Sequence, residues 1–205
     1  MRLCQATIVN MKLILVAPDY SLYTAFQEYF AYFPNVEIVN NYFEQLTEFD
    51  CLVSPANSFG MMDGGIDAAI IKFFGLSLEK RVQERILEDY LGEQPVGTSF
   101  IIETGHSKHP FLAHTPTMRV PMIIKDTDVP YTAMWAMLLA IRQHNKNSRR
   151  PINSVACPGL GTGIGRVPYC EAARQMSVAY DHFIYPPKII NCFVAASRQL
   201  QIWEG

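Results

Sequence analysis

The sequence has almost no net charge and no paired cysteine motif. It carries 17 basic and 19 acidic side chains over 205 residues, which gives a formal net charge of −2. Because proteins that hold a nucleic-acid backbone usually show a basic excess, we do not expect this chain to bind that backbone directly. The five cysteines form no C-x-x-C pair, which argues against a disulfide framework or a structural zinc site.

Long hydrophobic runs are missing as well. The longest unbroken one, residues 133–141, is too short to span a bilayer. The N-terminus lacks the apolar segment and small-residue cleavage site of a secretory signal. Cys51, Cys157 and Cys192 lie in apolar runs and are expected to be small buried hydrophobes, as in a reducing compartment. These absences predict a cytoplasmic protein with no membrane partner.

What the chain does have is enough apolar sequence for one domain. Apolar residues make up 49% of the total, and a chain of this length buries roughly 70% of its unfolded surface on folding. No internal repeat, low-complexity tract or linker divides it. Residues 1–205 are therefore expected to form a single domain, with 1–10 as an N-terminal extension before the first apolar run.

Short β-rich runs alternate with stretches of helical period. Strands are predicted at residues 13–16, 36–39, 51–54, 99–103, 111–114, 155–157 and 189–194. Several of these runs are continuously apolar, which is typical of strands covered on both faces. The alternation predicts an α/β domain with a largely parallel sheet between helix layers.

Two glycine-rich loops each follow a predicted strand and lead into a helix. The first contains SPANSFGMMDGGIDAAI, and the second, CPGLGTGIGRVP, has four glycines. Backbone N–H groups at a helix start, beside glycines that allow close approach, suit a diphosphate. The glycines would equally suit tight crossovers with no ligand. The second loop matches neither the G-x-G-x-x-G dinucleotide pattern nor a Walker loop.

Together these segments resemble the macro domain family. SPANSFGMMDGGIDAAI looks like that family's signature loop, N-A-A-N followed by a glycine run and V-D-G-A-I. CPGLGTGIGRVP is similar to its second loop, P-A-I-S-T-G-I-Y-G-Y-P, and FLAHTPTM resembles the intervening I-H-T-V-G-P strand end. The three segments occur in family order. The resemblance covers roughly residues 36–195 and implies a three-layer α/β/α fold with a mixed, largely parallel sheet and an ADP-ribose cleft at the strands' carboxyl ends.

The resemblance also implies roles for individual residues. Asn57 would hydrogen-bond the distal ribose and Asp67 would position or activate water at the anomeric carbon, so both are candidate catalytic residues. The expected ligand-binding residues are Ser54, Ala56, Asn57, Gly64, Gly65, Ile66, Gly159, Gly161, Thr162, Gly163, Ile164, Gly165, Arg166 and Phe43. On chemistry alone, Asn57 would equally hold its own turn. Asp67 would equally cap a helix, and Asp63 is a second acid able to take its roles.

Four departures from the family pattern bear on the ligand. Ser54 replaces the motif's first asparagine, and Gly165 replaces an aromatic residue against the distal ribose. Phe43 stands where the family usually has an aspartate for the adenine amine, so adenine would be held by stacking and backbone contacts, or a different base accepted. Arg166 would pair with a phosphate or face solvent.

The resemblance therefore implies an ADP-ribose-binding protein. It would hydrolyse an ADP-ribosyl adduct or ADP-ribose 1''-phosphate, with no cofactor and no metal. Its partner would be ADP-ribose or an ADP-ribosylated substrate. Ser54 and Gly165 favour the alternative, a non-catalytic reader of ADP-ribose or a related nucleotide signal.

Other chemistries have less support in the sequence. His106, His109 and His114 lie close together, but no acid or cysteine completes a metal-ligand spacing. His114 is better explained as a structural histidine at a strand end. Cys157 would need an exposed, activated thiolate to act as a nucleophile, yet it ends an apolar strand.

Overall fold

The computed structural model describes residues 11–204, so the predicted extension at 1–10 lies outside the described part of the chain. The strands are β1 (Lys12–Val16), β2 (Val36–Val39), β3 (Cys51–Ser54), β4 (Phe100–Glu103), β5 (Phe111–His114) and β6 (Ser154–Pro158). The helices are α1 (Tyr20–Phe30), α2 (Gly65–Phe74), α3 (Ser77–Tyr90), α4 (Val129–Asn147), α5 (Tyr169–Ile184) and α6 (Cys192–Glu204), with a 3₁₀ helix at Phe43–Gln45.

The six strands form one sheet in the order β2-β1-β6-β3-β5-β4. Every pairing is parallel except that of β4 with β5. Strands β3 and β5 are buried along their whole length, because helices cover both faces of the sheet. The prediction of a mixed, largely parallel sheet is confirmed.

Alternation along β1 divides the core into two layers. Leu13 and Leu15 pack with α1, α4 and α5 on one face. Ile14 and Val16 point the other way and pack with α2 and α3. The sheet therefore lies between two helical layers, which confirms the α/β/α architecture.

The strand predicted at 189–194 is wrong. The chain there has no sheet partner within the described sheet, Ile190 is 93% exposed, and helix α6 begins at Cys192. The physical reason is a helix cap, because the Asn191 side chain accepts a hydrogen bond from the Val194 N–H at 2.9 Å. Cys192 is consequently exposed, whereas Cys51 and Cys157 are buried as predicted.

Side chains of α5 hold α6 in place. The Arg174 guanidinium donates to the carbonyls of Gln201 and Ile202, at 3.0 and 2.6 Å. The same guanidinium pairs with Glu171, which raises the pKa of Arg174 and lowers that of Glu171. Within residues 11–204, no helix is both long enough and apolar enough to cross a membrane.

Truncating Leu52 tests the core. Leu52 is fully buried in β3, so we expect Leu52→Ala to lower the free energy of unfolding by about 2–5 kcal/mol in urea titrations. Leu87 on α3 is 65% exposed, and Leu87→Ala is expected to change it by less than about 0.5 kcal/mol. Equal losses from the two substitutions would contradict the assignment of the core.

Candidate functional site

A cleft opens at the carboxyl ends of the parallel strands. Its volume is about 270 Å³, and its walls come from within residues 16–22 after β1, 55–67 after β3, 117–121 after β5 and 158–169 after β6. In the sheet these strands lie side by side in the order β1-β6-β3-β5, so segments that follow four adjacent strands meet here. This is the crevice in which open α/β sheets bind ligands.

Asn57 holds the first loop in shape. Its Oδ1 accepts from the N–H groups of Phe59 and Met61, at 3.0 and 3.3 Å, and its Nδ2 donates to the Met61 carbonyl at 2.8 Å. These bonds show Asn57 holding its own turn, which was one of the two roles that the sequence allowed for this side chain. The amide has a second N–H, and Asn57 lines the cleft.

Helix α2 begins at the cleft without a side-chain cap. Gly64 occupies the cap position and makes no side-chain hydrogen bond, because it has no side chain. Gly65 follows with a φ of +55°, which favours glycine. The first N–H groups of a helix lack intrahelical partners, and Gly64, Gly65 and Ile66 line the cleft. The start of this helix therefore offers donors to an anion.

Asp67 lies in the first turn of α2 with its carboxyl almost fully buried. The pKa of Asp67 is raised to about 7, mainly by burial and to a smaller extent by the nearby Asp63, while a hydrogen bond from Ser54 acts in the opposite direction. The Ser54 Oγ donates to Asp67 Oδ1 at 2.5 Å. Asp67 is one of the residues that line the cleft, so a carboxyl with a pKa near neutrality belongs to the cleft wall.

The second loop is tightly wound on itself. Gly161 has a φ of +75°, and its carbonyl accepts from the Val167 N–H at 3.1 Å. A Cβ on Gly165 would lie 2.5 Å from that same carbonyl oxygen, so only glycine fits there. The Gly165 carbonyl also accepts from the Ile124 N–H at 2.8 Å, which joins this loop to the segment after β5.

Carboxylates, but no cations, line the cleft. The described lining residues include Asp19, Asp63 and Asp67 and no lysine, arginine or histidine. An anionic ligand would therefore depend on backbone N–H groups from the two glycine-rich loops. The described residues hold no group of three histidine, cysteine or acidic side chains placed to bind a metal ion.

Most residues that the sequence predicted for the site do lie together. Besides Asn57 and Asp67, the cleft is lined by Ala56, Gly64, Gly65, Ile66, Gly159, Gly161, Thr162, Gly163, Ile164 and Gly165. Ser54 is not among the lining residues, and its hydroxyl reaches the cleft wall through the hydrogen bond to Asp67.

Phe43 and Arg166 do not line the cleft. Phe43 is 3% exposed in the 3₁₀ helix, and its ring packs edge-on against Phe73 at 5.6 Å between ring centroids. Its apolar side chain belongs to the core on the α2 and α3 face. Arg166 has a φ of +54°, and its side chain is exposed to solvent.

The sequence missed one wall of the cleft. Val16, Pro18, Asp19 and Leu22 line it from the β1 side, together with Tyr169 at the start of α5. Asp19 caps α1 by accepting from the Ser21 N–H at 2.8 Å, and its other oxygen accepts from the Tyr169 hydroxyl at 3.4 Å. The available signal was the position of Asp19 between a strand and a helix, but this turn contains no glycine.

The remaining candidates have structural surroundings. His114 Nδ1 lies 2.6 Å from the Gln94 side-chain oxygen, and burial lowers the pKa of His114 to about 3. His106 and His109 stack on each other at 4.8 Å. Burial raises the pKa of the Cys157 thiol, which opposes a nucleophilic role.

Alanine at Gly165 tests the winding of the second loop. We expect Gly165→Ala to lower the urea midpoint, because the new Cβ meets the Gly161 carbonyl and the Ile124 side chain. Gly163→Ala is the matched control in the same loop, since a Cβ there meets nothing within 4 Å. A Gly165→Ala protein as stable as Gly163→Ala would contradict this packing.

The buried carboxyl makes stability depend on pH. The pKa of Asp67 rises on folding from 3.8 to about 7, so the stability linked to its protonated form is lost as the pH rises through about 7. Replacing it by the neutral amide removes this loss. When the pH is raised from 5 to 8, we expect the free energy of unfolding of Asp67→Asn, measured in urea, to rise by about 3 kcal/mol relative to that of wild type. The control is Asp126→Asn, because Asp126 is 85% exposed and does not act on the Asp67 carboxyl, and it should show no such gain.

Comparisons with known proteins assign the chain to a family and support the fold. The Macro domain family model matches residues 53–176. An uncharacterized protein of Aquifex aeolicus is 34% identical over 159 residues, which cover 76% of this chain and 87% of that protein.

Solved macrodomains share the fold. The macrodomain of Mycobacterium tuberculosis DarG has a TM-score of 0.56 at 21% identity, over 69% of this chain and 91% of its own. A mutant Oceanobacillus iheyensis macrodomain, solved with ADP-ribose, has a TM-score of 0.58 at 20% identity, over 88% and 82%. On the family model and the Aquifex relative together, this chain belongs to the Macro domain family.

Proposed function

We propose that the cleft binds ADP-ribose and that the protein hydrolyses an ADP-ribosyl adduct or a derivative such as ADP-ribose 1''-phosphate. The observation that carries this proposal is the Asp67 carboxyl, which lines the cleft between the two glycine-rich loops and has a pKa of about 7. The Oceanobacillus iheyensis macrodomain solved with ADP-ribose supports the choice of ligand.

Backbone donors would hold the diphosphate. The uncapped start of α2 supplies the N–H groups of Gly65 and Ile66, and the loop at 159–165 supplies others from the facing wall. The second amide hydrogen of Asn57 would donate to a hydroxyl of the distal ribose. Because Asn57 is already fixed by its own loop, this donor is in place before the ligand arrives.

The base would lie at the β1 end of the cleft. Pro18, Leu22 and Tyr169 give that wall an apolar surface on which a base can stack. The carboxylate of Asp19 lies beside it and would accept a hydrogen bond from an amine or a hydroxyl. This arrangement replaces the contact expected of Phe43.

Asp67 would act as the base in hydrolysis. Its ionised form takes a proton from a water molecule as the water oxygen bonds to the anomeric carbon. The bond from that carbon to the acceptor atom breaks at the same time, and the acceptor leaves with the electron pair and takes a proton from solvent, while Asp67 later returns its own proton to solvent. Placement of the water and a carboxyl pKa near the working pH would supply the catalysis. With ADP-ribose 1''-phosphate, the water oxygen would instead bond to phosphorus as Asp67 takes a proton from that water. The bond from phosphorus to the ribose oxygen would break, and that oxygen would leave with the electron pair and take a proton from solvent.

The alternative is a reader that binds ADP-ribose without cleaving it. Two observations favour it. The Asn57 side chain is largely used by its own turn, and Gly165 leaves no ring against the distal ribose. A cytoplasmic location is part of either proposal, supported by the free Cys51, Cys157, Cys170 and Cys192.

Titration and turnover separate these functions. We expect calorimetry to show that wild type and Asp67→Asn both bind free ADP-ribose. Turnover is then measured on an ADP-ribosylated peptide, an ADP-ribosylated oligonucleotide and ADP-ribose 1''-phosphate. Loss of the base should lower kcat of Asp67→Asn by about 100-fold or more. No binding at millimolar ADP-ribose would refute both functions. Binding without turnover of any of the three substrates by wild type would leave the reader, and equal turnover by the two proteins would overturn the role of Asp67.

The pH profile tests the role of Asp67 more finely. Turnover should rise as the pH increases through about 7, because the carboxyl must be ionised to accept a proton. In wild type, the hydrogen bond from Ser54 lowers the pKa of Asp67. Ser54→Ala removes that bond, so the midpoint of the pH profile should move to higher pH. Ser58→Ala is the control, because the buried Ser58 hydroxyl has no hydrogen-bond partner among the described residues. An unmoved midpoint in Ser54→Ala would contradict the assignment.

A further inference from the structure

Helix α6 has apolar side chains on two opposite faces. One face packs on the domain, where Ile202 is buried and Val194 is half-buried. On the same face, Arg198 donates to the His182 carbonyl at 3.3 Å and lies over the Trp135 ring. Because residues four apart on a helix share a face, residues 194, 198 and 202 mark the side that holds α6 to the domain.

The opposite face of α6 is open to solvent. It carries four apolar residues that we call the apolar stripe: Phe193, Ala196, Leu200 and Trp203. Phe193 is 79% exposed, Leu200 52% and Trp203 51%, and Ala196 is exposed as well. Residues at this spacing lie above one another on a helix, so the stripe is one continuous surface. Apolar surface of this kind marks an interaction site.

The stripe has the spacing of a seam between two helices. Its members follow one another at intervals of three, four and three residues, which is the a/d repeat of a coiled coil. Such a repeat keeps one apolar edge turned toward a neighbouring helix. A β-strand presents side chains with a period of two and has no matching repeat. The spacing therefore indicates a helix as the partner.

The order of large and small side chains fits a second copy of α6 that runs antiparallel. A two-fold axis level with Arg198 would place Ala196 opposite Leu200 of the other copy, and Phe193 opposite Trp203. A small side chain then faces a large one beside the axis, and aromatic side chains meet at both ends. A parallel pair would place Ala196 opposite itself and leave a gap. The same surface serves both copies, as two-fold symmetry requires.

The charges of the helix also permit this pairing. Its two charged residues are Arg198, which lies over Trp135 on the domain face, and Glu204. The stripe is flanked by the uncharged Ser197 and Gln199, so no like charges meet across the seam. The exposed Glu204 in the last turn would lie near the start of the second α6, where the helix dipole stabilises a carboxylate.

We propose that the protein forms a two-fold symmetric dimer through an antiparallel pair of α6 helices that pack along the apolar stripe. A standard interface takes about 800 Å² from each partner, and the stripe supplies roughly half of that area. The segment directly before α6 adds Ile189 and Ile190, which are 65% and 93% exposed. An interface of this size predicts a reversible dimer.

The dimer is independent of the proposed function. None of the described residues that line the cleft belongs to α6. We therefore expect the two clefts of the dimer to stay open to ligand.

Sedimentation velocity of the full chain tests the dimer. We expect wild type to change from one chain to two between about 1 and 100 µM. Leu200→Glu places a carboxylate from each copy in the apolar seam and should raise the dimer Kd about 30-fold or more. Leu87→Glu is the matched control, because Leu87 is 65% exposed on α3 and outside the stripe, and it should dimerise as wild type does.

Cross-linking tests the orientation of the two helices. In the antiparallel pair, the two copies of residue 197 lie beside the two-fold axis, whereas the exposed Cys192 and its copy are about 18 Å apart along the seam. With a short bismaleimide and sites mapped by mass spectrometry, Ser197→Cys should be joined to its own copy. Cys192 should not be joined to its own copy, and finding that link would indicate a parallel pair and overturn the proposal.

The other outcomes separate the two proposals. Wild type that remains a single chain throughout overturns the dimer and leaves the stripe to a helix of another protein. Leu200→Glu that dimerises as tightly as wild type also overturns it. The Kd of free ADP-ribose should be equal for wild type and Leu200→Glu, which also shows that the variant is folded. Failure of wild type to bind ADP-ribose overturns the proposed function and not the dimer.

Discussion

The burial of one carboxyl against one hydroxyl sets the chemistry of the cleft. Asp67 lies at the start of α2 and receives a single side-chain hydrogen bond from Ser54. Burial without a cation raises the pKa of the carboxyl to about 7. That shift opposes folding at neutral pH, since ionising the carboxyl costs free energy in the native state. Proteins commonly accept such a cost where a group must exchange protons.

The same absence of cations makes the glycine-rich loops necessary. Lysine or arginine beside Asp67 would stabilise its charge and lower its pKa. Backbone N–H groups can hold an anion without adding a full positive charge. At Gly64 no side chain caps the first N–H groups of α2, and at Gly165 the close approach of the Gly161 carbonyl leaves no room for a side chain. Anion binding and a near-neutral carboxyl are thus compatible in one cleft.

Sequence patterns predicted the sheet well and the cleft in part. Short β-rich runs located β1 to β6 to within one residue at each end. Several of them are continuously apolar, because strands covered on both faces have little polar character. The apolar run at 189–194 wrongly predicted a strand, because the Asn191 side chain caps the start of helix α6 there. Asp19 and Tyr169 were missed because their proximity depends on β1 lying beside β6. Phe43 was assigned by register alone, and packing against Phe73 was not visible in the sequence.

The position of β1 has a consequence for how the protein is made. Lys12, near the start of the described chain, pairs with Ser154, and β6 separates β1 from β3. The ribosome must therefore synthesise most of the chain before the centre of the sheet can close. Such distant pairings slow folding, because a long loop must be ordered before its contacts form. The cleft is assembled from loops on both sides of that late junction, so it exists only once nearly the whole chain is in place.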